Sequence, residues 1–181
     1  MFRAFERRLG FVPRWTVIPH NNKQSVAEHS FYVALYTDKI CTMLELSDTQ
    51  RAKIVSYALR HDMAETIHGD IPSPAKRRLV LNDHAATEEA LFIELYGSDA
   101  DYYDYRHATD YAHSIVKLAD RMEAAMWLTQ EVAMGNSQLG ELAQDLRDQT
   151  FQVARKLFDV ADAQKFLEWI AASANMEDLL K

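Results

Sequence analysis

Apolar residues recur along this chain at helical intervals, and the breaks between the runs carry Gly, Pro, Ser and Asp. Residues 2–9, FRAFERRL, read as a short amphipathic helix ended by Gly10 and by Pro13 beyond it. The stretch 13–24, PRWTVIPHNNKQ, carries two prolines and reads as a loop or short extended piece. Ser25 with Glu28 three residues on makes the S-x-x-E pattern of a capping box. The helix it opens is expected to run to about Leu44, with Phe31, Ala34, Leu35, Cys41 and Leu44 near helical spacing. Ser47 or Asp48 caps the next helix, which carries Ile54, Val55, Ala58 and Leu59 toward His61 and is expected to end near Gly69. A Pro-punctuated turn, IPSPAKRR at 71–78, precedes a helix expected over 83–96 and a polar, Tyr-rich connection. From about Asp110 to Met134, the positions Ile115, Leu118, Ala119, Met122, Ala125, Met126, Val132 and Ala133 keep one stripe, which GNSQLG at 135–140 breaks. One or two further helices follow, with Phe151, Val153, Leu157 and Phe158, then Phe166, Leu167 and Ile170, as expected core contacts. No repeat, low-complexity segment or convincing strand interrupts the pattern. The expected fold is all-α, a compact bundle of about six or seven helices in a single domain, 1–181.

Composition narrows the picture. With 181 residues and 48% hydrophobic content the chain can enclose a real core, and five Gly and four Pro are few enough to fit a mostly helical protein. A net charge of −7 argues against coating duplex nucleic acid, whose binders are usually basic, while leaving room for a local basic pocket. The single cysteine, Cys41, excludes an intramolecular disulfide and fits a reducing cytosol. No N-terminal apolar region resembles a signal peptide, and no apolar run approaches the ~20 residues of a membrane span. A soluble protein of the cytoplasm is expected.

Candidate chemistry concentrates in RHDMAETIHGD, residues 60–70, where His61, Asp62, Glu65, His68 and Asp70 follow the apolar run IVSYAL. An imidazole and a carboxylate facing a core must find partners, because burying a bare charge is costly. A divalent metal is one such partner and a buried hydrogen-bond network is the other. His29 lies inside a predicted helix, VAEHSFYVAL, and Asp120 interrupts IVKLADRMEAAM. Taken singly, each fits a plain structural role. Taken together they are N and O ligand types on three helices, each flanked by apolar residues. Two imidazoles and two carboxylates suit Mn, Fe, Co, Ni or Zn, with positions left for water and substrate.

The order His29, His61–Asp62, Asp120 resembles the HD-domain metal-dependent phosphohydrolases. Further motifs sharpen the likeness: RW at 14–15, AEHS at 27–30, H-D-x-x-E at 61–65 and G-D-x-P-x-P-x-K at 69–76. In that order they are similar to the YfbR-type 5′-deoxynucleotidases and to related phage deoxynucleoside triphosphate triphosphohydrolases, some of which act on dATP. The likeness covers roughly residues 10–130. It implies an HD-domain helical bundle with metal ligands at His29, His61, Asp62 and Asp120. It also implies catalytic acids at Glu65 and Asp70, phosphate contacts at Arg14 and Lys76, and Trp15 packed on the deoxyribose against a 2′-hydroxyl. Relatives of this kind form homo-oligomers, and the metal among Co, Mn, Zn, Ni, Fe and Mg is left open.

Other residues divide between plain and functional readings. His68 reads as a turn residue, His20, His84, His107 and His113 as surface histidines, and Trp127 and Met126 as core. Glu28 is accounted for by its capping box. Val17 is read either as a contact to the base or as ordinary packing. Lys76-Arg77-Arg78 is either a solvated helix start or a clamp for a longer phosphate tail, to which Lys117 can add. The expected activity is hydrolysis of a deoxynucleotide at the α-phosphorus, giving deoxynucleoside plus phosphate from a monophosphate or plus triphosphate from a dNTP. The alternative is a non-catalytic nucleotide-binding HD module. Hydrolysis of a cyclic or alarmone nucleotide fits the RW and GDxPxPxK elements less well.

Overall fold

A computed structural model of the chain describes residues 6–72 and 110–158, with residues 93, 162, 165, 166 and 168 besides. The first described element is a 3₁₀ helix over Glu6–Phe11, which continues through Gly10, where the sequence pattern ends its helix; residues 2–5 lie outside the described residues. The segment closes with i→i+3 bonds, the tighter geometry common in short connecting pieces. Its buried Leu9 packs with Val26 and Met63.

Helix α1, Val26–Met43, starts where the sequence places it. The Ser25 side chain accepts from the Glu28 amide, and the Glu28 carboxylate accepts from the Ser25 backbone N–H at 2.7 Å. Its buried face is Val26, His29, Ser30, Val33, Ala34, Thr37, Ile40 and Cys41. That face differs from the apolar stripe read from the sequence: Phe31 and Leu35 are 54% and 50% exposed. Three polar residues, His29, Ser30 and Thr37, disguise the core face.

Helix α2, Asp48–Ala58, is capped by Ser47 with Gln50 completing a second capping box. It ends at Ala58, well short of Gly69. The His61 Nδ1–H donates to the Ala58 carbonyl at 2.7 Å, taking the acceptor that a continuing α-helix would give to the Asp62 amide. Turns of i→i+3 type follow, Arg60 to Tyr57 and Met63 to Arg60, before a one-turn helix α3, Glu65–His68, closed by Gly69 at φ 77°. His61 and Asp62 therefore sit in a turn between helices.

Helix α4, Asp110–Ala133, opens the second described stretch and ends one residue before the expected Met134. The GNSQLG break forms a 3₁₀ turn over Ser137–Leu139, and α5, Gly140–Leu157, begins on its last glycine. Helix α4 lies between α1 and α5, with α2 beside α1. Ile40, Ile54, Ile115, Leu118 and Met122, all at 2% exposure or less, meet in the main core, each contributing ~1.5–3 kcal/mol of burial. Phe158 packs against Phe166, as expected. Among the described residues the architecture is all-α, with one isolated bridge, Pro13 to Ser25. The 83–96 helix lies outside the described residues apart from Ile93, which is helical, and Leu167 and Ile170 lie outside them altogether.

Candidate metal centre and cleft

The four residues read as metal ligands converge from α1, the 59–64 turn and α4. The His29 Nε2 lies 3.2 Å from an Asp120 oxygen and 3.5 Å from an Asp62 oxygen, and the His61 Nε2 lies 3.2 Å from Asp62. Ligand atoms of His29, His61 and Asp120 fall within 4.8 Å of one another, with the Asp62 carboxylate beside them. Both rings are held through Nδ1, His61 donating to the Ala58 carbonyl and His29 to the Glu123 carboxylate. Each Nε2 is buried and lacks a hydrogen-bond partner among the described residues. Two imidazole lone pairs aimed at two carboxylates fit a divalent ion, with the far ring nitrogens fixed by outer partners.

The electrostatics ask for positive charge at this point. Burial alone would pull the His61 imidazolium down, but Asp62, with Asp120 adding, raises it to about 9. Burial would lift both carboxyl groups, and again the neighbours win. His61, then His29 and Arg14, hold Asp62 well below the usual carboxylate range, and His29 and His61 lower Asp120. Protons or a cation can meet that demand.

The cluster opens on a cleft of ≈ 390 Å³. Asp62, Glu65 and Asp120 face it on one side, with Asp70 at the loop beyond Gly69. Arg14 and Trp15 line it from the 13–24 loop, so six of the residues singled out from sequence share one cavity with Val17. Glu65 opens α3 and is buried, at 3% exposure. Val17 is 70% exposed and lies on the cleft rim. Lys117 also lines the cleft. Lys76, Arg77 and Arg78 lie outside the described residues, as do His84 and His107.

The other histidines and the core candidates resolve locally. His68 ends α3 and donates Nδ1–H to the Gly69 carbonyl at 2.7 Å, a turn contact. His113 is exposed, whereas His20 is half-buried with its ring edge-on to Trp127. Met126 and Trp127 are buried, as expected, yet Trp127 does more than fill the core. Its indole stacks on Trp15 with centroids 4.7 Å apart and 7° between planes. Trp15 sits at φ 62°, a conformation that side chains of this size rarely adopt.

Several residues of the site escaped sequence reasoning. Glu123 and Gln24, both buried, link His29 to the Trp15 side of the cleft. Glu131, fully buried, accepts the backbone amides of Asn21 and Asn22 and so anchors the loop that carries Trp15. Arg121, Ile18, Leu142 and Leu146 are among the other residues of the cleft walls. The one available signal was a glutamate spaced three residues from Asp120 inside an apolar helix, at 123.

Comparison with known proteins gives likenesses in family, sequence and fold. The family model described as 5′-deoxynucleotidase YfbR-like matches residues 1–174. A dATP triphosphohydrolase of Salmonella phage PMBT28 is 33% identical over 130 residues, 67% of this chain and 62% of that protein, so the chain spans less than two thirds of this relative. A 5′-deoxynucleotidase of Cronobacter sakazakii is 26% identical over 150 residues, 76% of this chain and 75% of that protein. Among solved structures, the cyanophage S-2L HD phosphohydrolase, bound to dA and one catalytic Zn²⁺ ion, superposes with a TM-score of 0.72 over 96% of each chain. Sequence identity there is 18%, so this likeness speaks for the fold.

Proposed function

The chain belongs to the YfbR-like 5′-deoxynucleotidase family, and from that membership we propose that it hydrolyses 2′-deoxynucleoside 5′-phosphates at the α-phosphorus with a divalent metal at His29, His61, Asp62 and Asp120. The observation that carries the reading is the opening of this cluster onto the same cleft as Arg14, Trp15, Glu65 and Asp70. A bound ion would polarise a phosphoryl oxygen and make hydroxide available near neutral pH. Two imidazoles among the ligands favour a transition metal over Mg, and the Zn²⁺ of the cyanophage enzyme makes zinc the first to try.

The chain's own residues take the remaining roles. Glu65, buried at the cleft, orients the attacking water and takes its proton. Asp70 protonates the departing O5′ or holds the water. The planar guanidinium of Arg14 binds two non-bridging oxygens at once, and Lys76 adds a point charge. Trp15, pinned by Trp127, forms the wall against which a deoxyribose packs and a 2′-hydroxyl finds no partner. Val17, on the rim, meets the base. These are positioning and charge-stabilising roles, on which phosphoryl transfer depends.

The length of the phosphate chain separates two versions of the reading. Release of phosphate from a dNMP needs Arg14 and Lys76. Release of triphosphate from a dNTP such as dATP needs further cations, and Lys117 and Arg121 on the cleft wall support it, with Arg77 and Arg78 as additional candidates. A non-catalytic nucleotide-binding module is less well supported, because both acids lie on the cleft beside the ligands. A single domain is supported by the family match over residues 1–174, and self-association by the exposed Phe31 and Leu35 of α1. The net charge of −7 speaks against a stable nucleic-acid complex. No described helix is long and apolar enough to cross a membrane, and the lone cysteine suits a cytoplasmic setting.

Product analysis tests the proposal. Purified protein is incubated with each dNMP and dNTP in Zn²⁺, Co²⁺, Mn²⁺ or Mg²⁺, and nucleoside, phosphate and triphosphate are resolved by chromatography. Intact triphosphate with deoxynucleoside supports the dNTP version, and phosphate from monophosphates alone supports the nucleotidase. No turnover with any metal returns the chain to the binding-module reading.

A further inference from the structure

A continuous line of hydrogen bonds, part-buried at the cleft wall and buried beyond it, runs to the His29–His61–Asp62–Asp120 cluster. The Trp15 Nε1–H donates to Gln24 Oε1 at 3.0 Å, Gln24 Nε2 donates to Glu123 Oε1 at 2.5 Å, and the His29 Nδ1–H donates to Glu123 Oε2 at 2.5 Å. Gln24, Glu123 and His29 are 6%, 4% and 0% exposed, so the two inner links, Gln24 to Glu123 and Glu123 to His29, are shielded from water. The line has one permitted polarity at each end. An indole nitrogen only donates, which forces the Gln24 carbonyl toward Trp15 and its amino group toward Glu123. Glu123 then accepts at both oxygens. The proton on His29 stays at Nδ1 and the Nε2 lone pair points at Asp62 and Asp120. Backbone pairing makes the first link possible: the Arg14 amide donates to the Gln24 carbonyl at 2.9 Å, holding the two sides of the 13–25 loop together. Arg14 Nη1, 3.8 Å from Glu123, supplies a positive charge beside the buried carboxylate.

Resting on the metal reading proposed above, we propose that Glu123 is a positioning residue for His29 and that Gln24 ties this ligand to Trp15, coupling ion affinity to sugar discrimination. Glu123 touches neither ion nor substrate. It sets the tautomer and the ring angle of His29, an outer-sphere task whose loss typically weakens metal binding by ~10- to 100-fold. At the other end the line fixes the Trp15 plane, which already carries a left-handed backbone and a stack on Trp127. A disturbance at either end is felt at the other, since turning the Gln24 amide would set two donors or two acceptors face to face.

The test is metal binding by the full-length chain, independent of turnover. Zn²⁺ affinity is measured by competition with a chromophoric chelator, and the ligand field by the visible bands of the Co²⁺ form, for wild type, Glu123→Gln and Trp15→Phe. Thermal unfolding of the metal-free forms is followed alongside. Glu123→Gln is expected to bind Zn²⁺ ~10- to 100-fold more weakly with shifted Co²⁺ bands. Trp15→Phe, which keeps a ring and removes the donor, is expected to show a smaller loss, and the double variant none beyond Glu123→Gln alone. Should Glu123→Gln not fold, Glu123→Asp, which keeps the charge and withdraws it by one methylene, is expected to lose affinity in the same sense. Unchanged affinity and Co²⁺ bands in a folded Glu123 variant, with only the melting temperature lowered, would make Glu123 purely structural and overturn the proposal. Wild-type affinity in Trp15→Phe overturns the coupling to the sugar wall. A wild type that binds no metal overturns the metal reading itself, which the other outcomes leave standing.

Discussion

Replacing Glu131 by glutamine tests how the loop that carries Trp15 is held. Glu131 is wholly buried on α4, and its carboxylate accepts from the Asn21 amide at 2.7 Å, the Asn22 amide at 2.8 Å and Asn136 Nδ2 at 3.2 Å. Glutamine has the same shape, but one oxygen becomes an amino group facing a backbone N–H. One charge-assisted bond, worth ~1.5–3 kcal/mol, is lost, and a part-buried donor is left unsatisfied at a cost of ~1–3 kcal/mol. With partial relaxation of the loop, Glu131→Gln is expected to lose about 2–4 kcal/mol at pH 7 in urea unfolding followed by helical circular dichroism. Acid adds a second arm. Burial alone would raise the Glu131 carboxyl, but the Asn21 and Asn22 amides outweigh it and bring it below the ordinary 4.5. A depressed folded-state value means stability that is present above 4.5 and lost as pH falls through the folded value. The difference between wild type and variant is therefore expected to be flat from neutral pH down to about 5 and to shrink below it. A loss under about 0.5 kcal/mol at pH 7, the range of inert surface changes, would refute the reasoning, and so would a difference that grows with acid.

The same geometry sets further outcomes. Trp15→Ala is expected to relax the preference for deoxy- over ribonucleotides, measured as a ratio of kcat/KM values, and an unaltered ratio would remove its assigned role. Glu65→Ala is expected to retain bound metal while turnover drops by ~10²–10⁴-fold, and unchanged turnover in the metal-replete variant would take Glu65 out of the mechanism. Leu118→Ala, at a fully buried site of the α4 core, is expected to lose ~2–5 kcal/mol in denaturant unfolding. Burial pushes the Cys41 thiol up to about 11, so a thiol reagent is expected to label it slowly in the native protein and rapidly in urea.

Chemistry whose partners lie close together in the chain is legible in the sequence. Both capping boxes are readable because Ser25 meets Glu28, and Ser47 meets Gln50, within three residues. The continuity of α4 and its end near Gly135 are readable because an unbroken apolar stripe needs a continuous partner surface and the GNSQLG stretch interrupts it. The cluster of His29, His61, Asp62 and Asp120 is readable because two imidazoles and two carboxylates in apolar surroundings must find partners, whether a divalent ion or a hydrogen-bond network. The end of α2 is not readable, since apolar spacing continues past Ala58 and does not reveal that the His61 ring takes the Ala58 carbonyl. Nor is the core face of α1, because His29, Ser30 and Thr37 belong to it while Phe31 and Leu35 do not.

By itself, then, the sequence determined an all-α chain, the capped starts of α1 and α2, and the residue types that gather at the cleft, because these follow from local hydrogen bonding and from periodicity. The tertiary structure decided which groups stand behind that cleft. Glu123 reaches His29 and Gln24 across 94 and 99 residues, and Glu131 reaches Asn21 across 110. Beyond the apolar neighbours of Glu123, nothing local distinguishes those glutamates from solvated ones on a helix. Only the packing of α4 against α1 and the 13–24 loop removes their water and makes each carboxylate the required acceptor for donors far away in the chain.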